Sequence, residues 1–114
     1  MGPFRYRVEG TISDQESGQP LGGLVIRAYD LDLLKDDLLG VAVTDNDGHF
    51  EIHFTELAFV EIPGERPDIY LRVFDASGRH ELAGTRHEVR RNARADERFT
   101  LRIRRPPRSD AASA

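Results

Sequence analysis

Thr44-Asp45-Asn46-Asp47-Gly48-His49-Phe50-Glu51-Ile52-His53-Phe54 is the stretch whose reading decides the fold. Its first half is turn chemistry: Asp and Asn bond their own backbone, and Gly accepts a positive φ at no steric cost. Its second half alternates apolar and polar residues, the period of a strand with one buried face. Together they predict a tight hairpin joining a strand over Leu39–Thr44 to one over Phe50–Phe54. Phe50, Ile52 and Phe54 are expected inward, with His49 and His53 on the solvent side.

The same period recurs on either side. Tyr6–Ile12 places Tyr6, Val8 and Ile12 on one face and Arg7, Glu9 and Thr11 on the other. Leu24–Asp30 is nearly continuously apolar, which predicts a central strand covered on both sides. In the strand over Leu39–Thr44, Leu39, Val41 and Val43 share a side. Asp68–Asp75 puts Ile69, Leu71 and Val73 inward, His80–Val89 is a further strand, and Glu97–Arg104 buries Phe99, Leu101 and Ile103. Between them, Thr55–Pro67 breaks the pattern. A short helix or crossover loop is expected near residues 55–62, capped by Thr55 and stopped by Pro63, Gly64 and Pro67. Seven short strands without a recurring helical pattern predict an all-β sandwich over residues 1–105, followed by a polar, disordered tail over residues 106–114.

The quoted stretch belongs to a larger set. Val8-Glu9-Gly10-Thr11-Ile12, Ser17-Gly18-Gln19-Pro20-Leu21-Gly22-Gly23, Val25-Ile26-Arg27-Ala28-Tyr29-Asp30 and Thr44–Phe50 resemble the transthyretin-like, carboxypeptidase-regulatory-like domains, and Pro67–Asp75 is similar to a strand of a bacterial subgroup. The resemblance implies a Greek-key sandwich of the transthyretin type. It also implies a non-catalytic structural or binding module that docks on a protein partner, as in bacterial secretion, contractile injection or toxin assemblies. One enzymatic branch of that family opens 5-hydroxyisourate with His and Arg residues and a C-terminal Tyr-Arg-Gly-Ser, and this chain ends Arg-Ser-Asp-Ala-Ala-Ser-Ala instead.

Composition narrows the chemistry. With no cysteine among 114 residues, disulfides, thiolate metal sites and a Cys nucleophile are excluded. Residues 1–78 hold 6 Lys/Arg against 15 Asp/Glu, and residues 79–114 hold 10 against 5. The basic part carries one aromatic residue, Phe99, within an apolar alternation, so nucleic acid is not an expected partner. The N-terminus has no apolar export core and no run is long enough to span a bilayer, which predicts cytoplasmic synthesis, with any export occurring inside a larger assembly.

Three residue sets are candidate sites. Asp30, Asp32, Asp36 and Asp37, joined in space by Asp45, Asp47 or Asp75, offer the oxygen ligands calcium wants, though in no EF-hand register. A calcium-stabilised adhesion or carbohydrate-contacting module is therefore the alternative reading, and a small hydrolase the third. His49, His53, His80 and His87 are expected as surface histidines with no catalytic role. Arg79, Arg86, Arg90, Arg91 and Arg94 form a basic set that guards an edge strand against unwanted pairing or marks a binding patch. No phosphate-binding Gly loop, zinc spacing or nucleophile elbow is present. The sequence thus predicts an adaptor without a cofactor, contacting a protein partner through an exposed edge strand.

Overall fold

Wherever apolar residues recur at every second position, the chain is extended. A computed structural model describes residues 2–59 and 64–104. Its strands are β1 (Arg5–Asp14), β2 (Val25–Asp30), β3 (Asp37–Val43), β4 (His49–Thr55), β5 (Ile69–Phe74), β6 (Glu81–Gly84) and β7 (Asp96–Ile103). They form a three-stranded sheet in the order β4-β1-β7 and a four-stranded sheet in the order β3-β2-β5-β6. β1 runs antiparallel to β4 and parallel to β7, so the smaller sheet is mixed, whereas every pairing in the larger one is antiparallel. The inner faces meet in one core. Val8, Ile12, Phe50, Ile52 and Phe99 come from the smaller sheet, and Ile26, Ala28, Ile69, Leu71 and Val73 from the larger. Each large aliphatic side chain buried there contributes roughly 1.5–3 kcal/mol relative to exposure.

The turn at Asp45–Gly48 forms as its residues require. Gly48 N donates to Asp45 O, and Asp45 Oδ1 accepts from both Asp47 N and His49 N at 2.9 Å. The expected hairpin, however, is corrected: β3 pairs with β2 and β4 with β1, so this turn carries the chain from one sheet to the other. Other strands capture both of its arms. Thr44 N donates to Leu24 O at 2.9 Å, and Ile12 N donates to Gly48 O at 2.8 Å. A Cβ at Gly48, whose φ is 72°, would lie 2.3 Å from Ile12 O, so the crossing needs glycine for conformation and for space.

Three further expectations change. β2 is not covered on both sides: Ile26 and Ala28 face the core, while Arg27 and Tyr29 face outward, where Arg27 lies 4.1 Å from the Phe74 ring and Tyr29 stacks on Tyr70. In β3, a bulge opposite Ala28/Tyr29 leaves Leu39 as the extra residue. Leu39 is buried, while Val41 and Val43 turn outward and are 52% and 60% exposed. Simple alternation cannot anticipate a bulge. The segment His80–Val89 is a strand only over Glu81–Gly84, followed by a 3₁₀ turn at Arg86–Glu88.

The Greek-key sandwich with a helix near residues 55–62 is likewise corrected. Among the described residues there is no α-helix. Thr55 Oγ1 does cap Leu57 N at 3.3 Å, but the result is a three-residue 3₁₀ turn, Glu56–Ala58. Residues 60–63, the rest of that expected crossover, lie outside the described residues, as does the tail at 106–114. No helix among the described residues is long and apolar enough to cross a membrane.

Candidate metal centre

The antiparallel register of β1 and β4 puts Glu9 opposite Glu51 and Thr11 opposite His49, on the outward face of the smaller sheet. This brings two carboxylates and an imidazole together. One ligating atom from each of Glu9, His49 and Glu51 lies within 4.8 Å of the others, and Glu9 Oε2 is 3.7 Å from His49 Nε2. Parallel pairing with β7 adds Arg98 beside Glu9. Its Nε and Nη2 both donate to Glu9 Oε1, at 3.0 and 2.7 Å. Arg7 closes the other side: Nη1 is 3.0 Å from Glu51 Oε1 and 3.5 Å from Glu9 Oε2, while Nε and Nη2 donate to the Asp96 carboxylate.

Glu9 is only 8% exposed, although its face of the strand was expected to meet solvent. The Arg98 hydrogen bonds, helped by the charges of Arg7 and Arg98, outweigh this burial and hold its carboxyl below the usual range. The group is therefore an anion at neutral pH. The Asp96 hydrogen bonds likewise raise Arg7 above the usual guanidinium value. Outside the cluster, Asp45 Oδ2 is 4.0 Å from His49 Nδ1, beyond hydrogen-bond distance.

The donor set fits a divalent transition metal. Glu9 retains Oε2, His49 retains Nε2 and Glu51 supplies a second carboxylate, giving one nitrogen and two hard oxygens with open solvent on the outer side. Three protein ligands with remaining positions open are the arrangement of non-haem iron(II) sites, although their usual balance is two imidazoles to one carboxylate. Ligands on one ion at about 2.1 Å lie roughly 3 Å apart. Glu9 and His49 thus need only a small inward movement, and Arg7 Nη1, the present cation between the two carboxylates, would withdraw toward Asp96.

No family model matches the chain, and no curated protein matches it. Solved structures share its fold, among them the following three. The 9R-lipoxygenase from Cyanothece PCC8801 aligns with a TM-score of 0.62 and 22% identity over 86% of this chain, which spans 16% of the lipoxygenase. The dioxygenase domain of a dioxygenase carbohydrate-binding protein fusion from Streptomyces sp. SirexAA-E aligns at 0.54 with 16% identity, covering 92% of this chain and 82% of that one. An intradiol ring-cleavage dioxygenase from Tetranychus urticae gives 0.54 and 14% identity, over 96% and 85%. The fold is thus an all-β fold of the kind seen in these dioxygenase domains. The transthyretin-like assignment is corrected accordingly: these structures that share the fold are dioxygenase and lipoxygenase domains, and Glu9, His49 and Glu51 form a His/Glu cluster on it. The non-catalytic adaptor, the absence of an enzymatic role and the absence of a cofactor give way with it, because Glu9, His49 and Glu51 form a donor set on this fold.

The calcium reading of Asp30, Asp32, Asp36 and Asp37 also gives way as the cofactor expectation. Asp30 is buried and accepts from Asp68 N at 2.8 Å; burial outweighs that bond and pushes its carboxyl up to about 6. Asp32 accepts from Leu33 N at 2.6 Å, and its own N donates to Asp36 Oδ1 at 3.0 Å. Asp36 Oδ2 accepts from the Tyr70 hydroxyl. Asp37 pairs with Asp30 across β2 and β3. Asp45 caps its own turn, and Asp75 bonds Ser77 and His80, which holds it down to about 2. Among the described residues, the group of three His, Asp or Glu side chains able to meet one ion is Glu9, His49 and Glu51.

The remaining candidates disperse. Arg86, Arg90 and Arg91 pair singly with Asp36, Glu97 and Asp68. His53 lies 3.6 Å from Glu51 at the margin of the cluster, His80 bonds Asp75, and His87 is on the other sheet's side. Glu9 and Glu51 were not anticipated as site residues. The available signal was that Arg7-x-Glu9-x-Thr11 and His49-x-Glu51-x-His53 each put charged groups on one strand face, and it becomes informative only once those strands are known to pair.

Proposed function

We propose that this domain is a metal-dependent, dioxygenase-like catalyst whose metal is held by Glu9, His49 and Glu51. The convergence of those three side chains on one exposed face carries the reading, and the likeness in fold to dioxygenase domains supports it. A bound iron ion would supply the capacity to engage dioxygen and an electron-rich organic substrate at adjacent positions. The chain's own part is to provide two carboxylates and one imidazole and to hold Glu9 ionised through Arg98. It also leaves one side of the cluster open to solvent.

Titration of metal-free protein with iron(II) under argon, or with manganese(II) as a paramagnetic stand-in, tests this directly. One ion should bind per chain, with binding lost in His49→Ala and weakened at least tenfold in Glu51→Gln. Iron-loaded protein should then consume oxygen in the presence of a simple catechol, and His49→Ala should not. Absence of one-to-one binding, or binding indifferent to His49, overturns the proposal.

A further inference from the structure

Beside the metal ligands lies a groove of about 300 Å³ lined by Glu9, Gly10, Thr11, His49, Arg98 and Thr100. Gly10 contributes only backbone to its floor; a side chain at this position would point the other way, into the core, where a Cβ would sit 2.1 Å from Phe99 O and 3.0 Å from the Phe50 ring. Thr11 and Thr100 are register partners in the parallel β1–β7 ladder, and both are exposed. Two hydroxyls therefore stand side by side on the floor, each able to donate to an acceptor or accept from a donor. Next along the same strands is the Glu9–Arg98 pair.

Arg98 is the unusual member. Two of its nitrogens, Nε and Nη2, go to the single oxygen Glu9 Oε1, and among the described residues Nη1 makes no hydrogen bond. Its side chain is 77% exposed, whereas that of Glu9 is 11% exposed. The guanidinium is thus anchored at one edge by a buried carboxylate and presents its other edge to solvent. A planar fork fixed in this way matches a carboxylate, and the fixed geometry lowers the ordering cost of binding.

The geometry points to this groove as the site for a small organic carboxylate, received by the free edge of Arg98 and the hydroxyls of Thr11 and Thr100. His49 joins the groove to the metal cluster: its ring is a wall of the one and a member of the other. A single ring bearing one carboxylate is small enough for this volume, and with its carboxylate on Arg98 its far side can reach toward His49. That the occupant is a substrate rests on the metal-dependent reading above; that the groove takes a carboxylate does not.

Benzoate is the probe, with uncharged benzamide as its isosteric control, titrated into the full chain by NMR both metal-free and manganese-loaded. Benzoate should bind in both states and benzamide in neither, with shifts or relaxation effects on Thr11, Thr100 and Arg98 amides. Arg98→Gln should weaken benzoate at least tenfold. Thr100→Val, which leaves every ion pair in place, should weaken it severalfold, and Arg102→Gln, on the same strand, should leave it unchanged. Equal binding of benzamide, or equal losses in Arg98→Gln and Arg102→Gln, overturns the inference. Benzoate binding that depends on Arg98 in a protein that takes no metal supports the groove while sinking the metal reading. Metal binding without benzoate binding does the reverse.

Discussion

Two carboxylate-rich regions sit on opposite sheets and hold their charges differently. At the end of β2 and in the loop to β3, Asp30, Asp32 and Asp36 accept mainly from backbone N–H groups and from the Tyr70 hydroxyl, with Arg86, 3.7 Å from Asp36, as their one ion-pair partner among the described residues. On the outer face of the β4-β1-β7 sheet, Glu9 and Glu51 share the Arg7 guanidinium, which can turn toward Asp96, while Arg98 stays anchored on Glu9. Acidic density in the sequence is highest in the first region, yet exchangeable chemistry is in the second. A carboxylate satisfied by neutral, immobile donors serves the local backbone, whereas one balanced by a mobile cation is ready to accept a different cation.

Substitution at Gly10 breaks the second region outright. A Cβ at this position would meet Phe99 O at 2.1 Å and the Phe50 ring at 3.0 Å, so Gly10→Ala must push β7 away from β1. A loss of about 3 kcal/mol in chemical denaturation is expected, at the upper end for overpacking. Metal binding should fall with it, because Arg98 leaves Glu9. Retention of wild-type stability would mean that the parallel pairing is not as described.

A smaller effect separates the regions by pH. The folded-state value of Asp30, about 6, lies above its ordinary 3.8. The folded form therefore binds this proton more tightly, so stability increases as pH falls from about 7, and the gain is complete below about 4. Allowing for partial solvent screening, that gain is about 1–2 kcal/mol. Melting curves of Asp30→Asn should be flat across this window. Glu9, whose value is depressed, has the opposite sign: its stabilisation is present above the ordinary glutamate value and is lost on further acidification. A wild-type protein that loses stability between pH 7 and 5 would contradict the placement of Asp30.

The smallest effect tests exchangeability itself. Arg7 Nη1 stands between Glu51 and Glu9 while the rest of its guanidinium is committed to Asp96. Arg7→Gln should therefore tighten manganese binding by about threefold to tenfold, the modest range open to a solvent-screened ion pair. Weaker binding in that variant would show that Arg7 supports the cluster and does not compete for it.

What could be read from the chain follows a physical boundary. Inward positions such as Val8, Ile12, Ile52, Leu71 and Phe99 are set by local alternation, and all are buried. Pairing is not local. The turn Asp45–Gly48 has the residues of a hairpin, but Leu24 and Ile12 take its arms into separate sheets, and neither partner is encoded in the turn. The metal ligands inherit the same difficulty: His49 and Glu9 meet only through the β1–β4 register. Glu9 shows the second limit, because two arginines, one of them on a distant strand, cover a face that alternation assigns to water.

The parallel β1–β7 ladder bears on how the protein comes into being. Glu9 and Arg98 are separated by 89 positions in sequence, so the groove and the charge balance of the cluster are among the longest-range contacts available to the chain. Contacts of this kind form late and slowly, after the loop entropy between them has been overcome. On the ribosome, a nascent chain that already has His49 and Glu51 still lacks β7, and Glu9 has no guanidinium from Arg98 to neutralise it. The groove and the Arg98 side of the cluster are therefore completed only when β7 has emerged and docked along β1.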